Sequence, residues 1–284
     1  MNSVTLPAYA KLNLTLDILR KRPDGYHDLR MVMQSIALHD DVTVSLAQEE
    51  GIRCHCGAGL PEDENNLAVK AALAFFAQSG VAPHALEIDI TKRIPACAGM
   101  AGGSTDAAAT LRALRTMLCP EMADEVLERI GAAVGSDVPY CIRGGTALAE
   151  GRGEILTTLK SAPRLFALVC KPDFAISTPA LYAHVRVDEL RGRPDTDGML
   201  RAIERGDAEG VIARVSNVFE QVLPEEFAQV FAIKRAMLAA GAETAAMTGS
   251  GPTVFGLFRD RAAAEAAQSA VAFPNAQVFL TEFV

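Results

Sequence analysis

Residues 99–106 read Gly-Met-Ala-Gly-Gly-Ser-Thr-Asp, and a run of alanines follows. Glycines, then small hydroxyl and acidic residues, then a helix former describe a loop feeding a helix N-terminus. Free backbone N–H groups and the positive end of the helix dipole converge at such a junction, which makes it an anion site. Two common phosphate loops fail to fit. The sequence has no Gly-Lys dipeptide, so it has no G-x-x-x-x-G-K-[ST] loop, and 99–104 do not match G-x-G-x-x-G. Ser104 can cap the helix, and the hydroxyls of Ser104 and Thr105 can reach a phosphate or its Mg²⁺. Asp106 either complements the dipole or partners a cation.

Other residues could do chemistry with that anion. Asp137 lies in a Gly-Ser-Asp-Val-Pro turn; its carboxylate can act as a base or bond its own backbone. Lys11 and Asn13 share one face of an alternating segment, opposite Leu12, Leu14 and Leu16. Tyr26 and His27 follow a Pro-Asp-Gly turn. Aromatic rings there suit a pyrimidine, with a face to stack on and an edge to hydrogen-bond. Gly249 and Gly251 lie in a second glycine turn. The Arg20-Lys21-Arg22 and Lys92-Arg93 clusters are expected to be solvated surface. Cys54-His55-Cys56 lacks a second Cys/His pair at zinc spacing, so no metal site is expected.

The elements that must position these groups follow from periodicity. Residues 4–19 and 42–46 read as strands, with an apolar stretch at 30–38 between them. Residues 64–80 read as a helix capped by Asn65 or Asn66 and ended by Gly80. Residues 86–95 alternate as a strand leading into the glycine loop. Helices are expected after the loop, stopped by Pro120, and over about 122–133. Residues 135–154 read as a surface loop folding back through a strand-like TALAE. Strands are expected at 164–172, 245–258 and 276–284, with an α+β pattern from about 155 onward.

The chain has 284 residues, 50% of them hydrophobic, enough for one large or two medium domains. Its net charge of −8 argues against a nucleic-acid partner. No basic-then-apolar leader and no membrane-length apolar run is present, and six scattered cysteines fit a reducing compartment, so a cytoplasmic protein is expected.

Residues 95–109, PACAGMAGGSTDAAA, resemble the phosphate loop of the GHMP kinases. Within that superfamily, AYAKLNLTL and RPDGYH near the N-terminus, GSDVP at 135–139 and MTGSGPTVF at 247–255 resemble, in order, the motifs of the 4-diphosphocytidyl-2-C-methyl-D-erythritol kinases. The resemblance implies an α+β, two-lobed GHMP kinase fold. An N-terminal ATP-binding α/β lobe with a mixed sheet would span 1–157, with 276–284 free to return to it. An α+β substrate lobe would span 158–275, with the site between the lobes. It implies transfer of the ATP γ-phosphoryl to the 2-hydroxyl of the cytidylylated methylerythritol, a small-molecule substrate, by a monomer or weak homodimer with no nucleic-acid or membrane partner.

Residue by residue, the resemblance makes Asp137 the base and Lys11 its cationic neighbour. Asn13, Tyr26, His27, Thr178 and Tyr182 would bind substrate, with Tyr182 on the second cytosine face. Asn66, Pro95, Ala96, Cys97, Ala98, Gly99, Met100, Ala101, Gly102, Gly103, Ser104 and Thr105 would bind ATP. Mg²⁺ would arrive with ATP, with Ser104 as its nearest protein contact and no resident metal. The loop departs from the family pattern at Cys97, Ala98 and Ala101, which stand where glycine is frequent. A Cβ disfavours positive φ, so backbone donation is expected chiefly from Gly99, Gly102 and Gly103.

Overall fold

The computed structural model describes residues 2–57 and 59–284, and it divides into two compact units. In chain order the elements begin with β1 (Ser3–Lys21), β2 (His27–Leu46), β3 (Ile52–His55), α1 (Leu67–Ser79), β4 (Leu86–Thr91), α2 (Gly102–Leu118), α3 (Asp124–Val134) and α4 (Val138–Arg143). Next come β5 (Thr146–Gly151), β6 (Ile155–Thr158), β7 (Phe166–Lys171), α5 (Thr178–Ala183), α6 (Thr196–Arg205), α7 (Ala208–Ile212) and β8 (Ser216–Asn217). The chain ends with α8 (Gln229–Ala239), β9 (Thr244–Met247), β10 (Val254–Phe258), α9 (Arg261–Ala270) and β11 (Gln277–Glu282).

The first unit contains Met1–Ala10, His39–Ala96 and Ala101–Gly144. The second half of β2 pairs antiparallel with β4, Val42 opposite Ile90, and β3 pairs parallel with β4, Cys54 opposite Ile88. Val42, Val44, Ile88 and Ile90 from the strands share a buried core with Phe75 of α1 and Leu111 and Leu114 of α2. Asn66 caps α1 by accepting from the Ala68 amide at 2.9 Å, and Gly80 ends it in a left-handed turn at φ 75°. Residues 138–143, expected to belong to a loop, form α4 instead. Pro139 sits in its first turn, where a missing N–H costs nothing.

The second unit contains Lys11–Leu38, Cys97–Met100 and Gly145–Val284. The first half of β2 pairs antiparallel with β5, Met33 opposite Ala147, and β1 pairs parallel with β8 at Thr15 and Ser216. A separate antiparallel sheet runs β11-β7-β10-β9. β11, which the sequence left free to return to the N-terminal lobe, pairs with β7 along its whole length. Two expectations about strands are corrected. Residues 30–38 and 42–46 are one continuous strand, β2. Residues 245–258 are two strands turned by Thr248–Thr253, because Gly249 and Gly251 at φ 58° and 82° reverse the chain.

β1 is buried on both faces from Ala10 to Asp17. Lys11, Asn13 and Thr15 therefore do not form a wet face opposite the leucines. Buried polar side chains in such a row must find partners, and those partners define the first part of the site.

Candidate active site

Lys11 is 4% exposed. Its ammonium donates to Asn13 Oδ1 at 2.6 Å and to the Gly99 carbonyl at 2.9 Å. Its backbone amide donates to the Met100 carbonyl at 3.2 Å. Asn13 is held in turn by Thr248, whose Oγ1 accepts from the Asn13 amide at 3.1 Å. Asn217 Nδ2 donates to the carbonyls of Met247 and Gly249 at 2.7 and 2.8 Å, which fixes the second glycine turn. That turn and the first glycine loop approach backbone to backbone. A Cβ on Gly99 would lie 2.5 Å from the Thr248 carbonyl, and one on Gly249 would lie 2.8 Å from the Gly99 carbonyl and 3.3 Å from Lys11 Nζ. Sequence reasoning placed Lys11, Asn13, Gly99, Gly249 and Gly251 here but missed Thr248 and Asn217. Thr248 stands beside the glycine motif and could have been found there. Asn217 carries no local signal.

In the first unit, α2 begins at Gly102 after Ala101 in the left-handed region at φ 62°. Cys97 is also left-handed, at φ 51°. Both therefore adopt the positive φ that their side chains disfavour, and the loop keeps a glycine-like path without glycine there. The first intrahelical bond runs from the Thr105 amide to the Ala101 carbonyl at 2.9 Å. The amides of Gly102, Gly103 and Ser104 precede it and have no partner within the helix, as first-turn amides do not. Ser104 is not the cap, since Ala101 takes that place without a side-chain bond. Thr105 does not turn its hydroxyl outward; it is buried and donates to the Tyr9 carbonyl at 2.8 Å. Ala98 and Met100 are also buried, whereas Ala96 and Cys97 are exposed.

The turn that carries Asp137 comes near this helix start. A Cβ on Gly135, two residues before it, would stand 4.0 Å from Ser104 Oγ. Asp137 precedes α4 but makes no capping bond to it, so the turn does not consume its carboxylate. Asn66 Nδ2 donates to the Pro61 carbonyl at 2.8 Å, in addition to the capping role of its Oδ1.

Lys92 corrects the expectation of a solvated cluster. Its ammonium contacts Asp40 and, at 2.6 Å, Asp106, with all three side chains largely buried. Asp106 is thus a cation partner. Asp40 Oδ1 also accepts from the Arg93 and Ile94 amides at 2.5 and 2.8 Å, clamping the start of the glycine loop. Arg93 behaves as expected on the surface, paired with Asp41, and Arg20 and Arg22 pair with Asp28.

The aromatic residues gather in the second unit. His27 and Tyr182 stack with centroids 4.8 Å apart and 20° between planes, and Phe219 meets Tyr182 edge-on at 4.9 Å. That spacing admits no third ring between His27 and Tyr182. Tyr26 is 57% exposed, with the Arg152 guanidinium 4.9 Å from its ring centroid. Thr178 Oγ1 lies 2.6 Å from Ser250 Oγ, which brings α5 to the second glycine turn. Burial, and secondarily the Lys21 charge, depress the His27 pKa below the usual histidine value. On the outer edge of the first unit, His55, Glu87 and Asp89 could together reach a cation, while Cys54 and Cys56 turn inward away from His55.

The chain matches the family models of the GHMP kinases N terminal domain over residues 66–145 and the GHMP kinases C terminal over 199–276. It is 43% identical to a protein of Lachnoclostridium phytofermentans named 4-diphosphocytidyl-2-C-methyl-D-erythritol kinase, across 100% of this chain and 98% of the relative. The chain belongs to the 4-diphosphocytidyl-2-C-methyl-D-erythritol kinase family of GHMP kinases. A Geobacter metallireducens relative of the same name is 42% identical over 95% of each chain. A crystal structure of a 4-(cytidine 5'-diphospho)-2C-methyl-D-erythritol kinase superposes at TM-score 0.83 with 31% identity, covering 99% of this chain and 100% of the other. The homoserine kinase of Cytophaga hutchinsonii, at 19% identity and TM-score 0.75, shares the fold. The two-lobed α+β architecture is the GHMP kinase fold.

Proposed function

We propose that the chain transfers the γ-phosphoryl of ATP to the 2-hydroxyl of 4-diphosphocytidyl-2-C-methyl-D-erythritol, in the non-mevalonate route to isoprenoid precursors. The full-length identity of 43% to a kinase so named carries this reading. The Lys11–Asn13–Gly99 arrangement supports it, because it fixes a buried ammonium on β1 against the glycine loop.

Phosphoryl transfer needs in-line positioning, neutralisation of charge and a place for the acceptor proton. The Asp137 carboxylate takes the proton of the 2-hydroxyl. That oxygen bonds to the γ-phosphorus as the bond to the β,γ-bridging oxygen breaks, and ADP leaves. Lys11, by its charge, favours the ionised carboxylate and the developing alkoxide. The amides at Gly102, Gly103 and Ser104 hold phosphate oxygens at the dipole's positive end. Pro95 through Met100 form the loop wall, and Asn66 meets the adenine side. The Ser104 hydroxyl would be the protein group nearest a Mg²⁺ brought with the nucleotide, which would supply neutralisation of the phosphate charge. Thr105, whose hydroxyl proton goes to Tyr9, shapes the helix start rather than donating to phosphate. The cytosine stacks on Tyr26 with the His27 edge beside it. Tyr182 backs His27, and Asn13 and Thr178 bind the remainder of the substrate.

A coupled ADP-release assay tests the reading. Purified protein is given Mg-ATP with the cytidylylated substrate, its cytidine-free analogue, homoserine or mevalonate, alongside an Asp137→Asn control. Turnover confined to the first substrate and lost in the control is expected. Turnover with homoserine or mevalonate instead discards the substrate assignment.

A further inference from the structure

Asn217 is not among the residues that the preceding reading sets against ATP or substrate, yet it holds the turn that backs Lys11. β8 is two residues long, and its pairing with β1 puts Asn217 opposite Leu16. The Asn217 side chain is buried, so both ends of its amide need partners. Oδ1 accepts from the Phe219 amide at 3.0 Å. That bond fixes the orientation of the side chain, because only the oxygen can meet a backbone N–H. Nδ2 then donates to the carbonyls of Met247 and Gly249, at 2.7 and 2.8 Å. Glu220, in the same short segment, accepts from the Met247 amide at 2.8 Å. Met247, at the entrance to the second glycine turn, is thus gripped by both of its backbone groups.

The gripped turn sets both acceptors of the Lys11 ammonium. The first is Asn13 Oδ1; the Asn13 amide donates to Thr248 Oγ1 at 3.1 Å, which ties it to the turn. The second is the Gly99 carbonyl, and Gly249 presses against it. A Cβ on Gly249 would lie 2.8 Å from that oxygen and 3.3 Å from Lys11 Nζ. A displacement of the turn therefore displaces both acceptors, and the ammonium follows them.

On the kinase reading above, we propose that Asn217 is a positioning residue for phosphoryl transfer. Its amide holds the second glycine turn where Asn13 and Gly99 aim the Lys11 ammonium at the reacting hydroxyl. It acts through Lys11 rather than on the substrate. Misplacing a group at the reacting centre by about an ångström is enough to slow a reaction by about 100-fold, so a residue with this task is visible in kcat.

The test is a double-mutant cycle on the full chain with Mg-ATP and the cytidylylated substrate. Asn217→Asp keeps the shape and the acceptor for Phe219 but has no proton for the two carbonyls. Asn217→Ala removes the donor without adding a charge. Each is made alone and together with Lys11→Met, and rates are taken per folded protein, well below the unfolding midpoint. With Lys11 present, each variant is expected to lose about tenfold or more in kcat, with the KM for ATP within about twofold. With Lys11→Met, the same substitution should cost about twofold or less, since the cation that the turn positions is already gone. A merely structural role lowers kcat by the same factor in both backgrounds, and that result overturns the proposal. So does a near-normal kcat in both single variants. A loss confined to the aspartate variant would belong to its new charge and also overturns it. If the aspartate variant fails to fold, the alanine variant carries the cycle; failure of both to fold makes Asn217 structural and overturns the proposal. A wild type that phosphorylates none of the acceptors overturns the proposal together with the kinase reading. One that uses homoserine or mevalonate discards only the substrate assignment, and the cycle is then read on that acceptor with the same expectation.

Discussion

The Lys11 ammonium donates to the Gly99 carbonyl at 2.9 Å, so a side chain of β1 is tied to the backbone of the glycine loop. The same ammonium reaches Asn13 at 2.6 Å. One cation thereby sets the distance between the strand that would meet the acceptor and the loop that would meet ATP.

Lys11→Met keeps the length and apolar stem but deletes the charge. Asn13 Oδ1 and the Gly99 carbonyl then lose a donor, a stability cost of about 1–3 kcal/mol. The larger effect should be on turnover, because the proposed mechanism uses that cation to stabilise the developing alkoxide. We expect kcat to fall by about 100-fold or more, with a cooperative unfolding transition retained. Initial rates and urea unfolding of the same preparation check both halves. Near-normal kcat would remove Lys11 from the chemistry.

Asp137→Asn should separate catalysis from folding more cleanly. The Asp137 side chain does not cap α4, so the amide replaces no capping bond. We expect kcat to fall by about 10²–10⁴-fold, the KM for ATP to change little, and the unfolding midpoint to stay where it was. A large loss of stability would mean the carboxylate is structural.

His27 gives a pH dependence with a definite sign. Its folded-state pKa lies below the usual 6.5, from burial first and the Lys21 charge second. The folded state therefore binds fewer protons than the unfolded one in that window. The stability this neutral ring contributes is present above about pH 6.5 and is lost as pH falls through the depressed value. If the neutral ring edge meets the cytosine, the KM for the cytidylylated substrate rises on acidification while the KM for ATP does not follow it. His27→Phe keeps the stack on Tyr182 and removes the titration. Its substrate KM should be higher and flat in pH.

How much of this was legible in the sequence depends on whether a feature is local. The Asn66 cap, the Gly80 stop and the strand through Lys11 depend on neighbours within a few residues, and the chain carries those signals openly. The α4 helix was missed because six residues beginning Val-Pro give too little periodicity to outweigh nearby glycines. The left-handed Cys97 and Ala101 contradict local preference; surrounding structure imposes them. Lys92 was misread because its partners lie 52 and 14 residues away, and no spacing rule pairs them. Of the candidate site, the sequence offered residue types and their order. Of the partners that bury them, Asn217 and Asp40 carried no local signal, and Thr248 carried only its place beside the glycine motif.

Gly99 offers a test of the close approach between the two glycine turns. At φ +72° any side chain is strained, and an added Cβ would also meet the Thr248 carbonyl at 2.5 Å and the Gly251 carbonyl at 3.0 Å. Both are backbone atoms and cannot swing aside. Gly80 serves as the control, since it has nearly the same φ, +75°, but nothing within 4 Å of its Cβ position. Gly80→Ala should cost about 1 kcal/mol, the strain of the left-handed conformation alone. Gly99→Ala should cost about 2–4 kcal/mol, because the clash adds to the strain. Urea midpoints at constant m-value measure both. Gly99→Ala should also lower kcat under conditions where the protein is fully folded, since pushing the turns apart moves the carbonyl that holds Lys11. Equal costs for the two alanines would show that the glycine turns do not press on one another, and the positioning of Lys11 would then need another source.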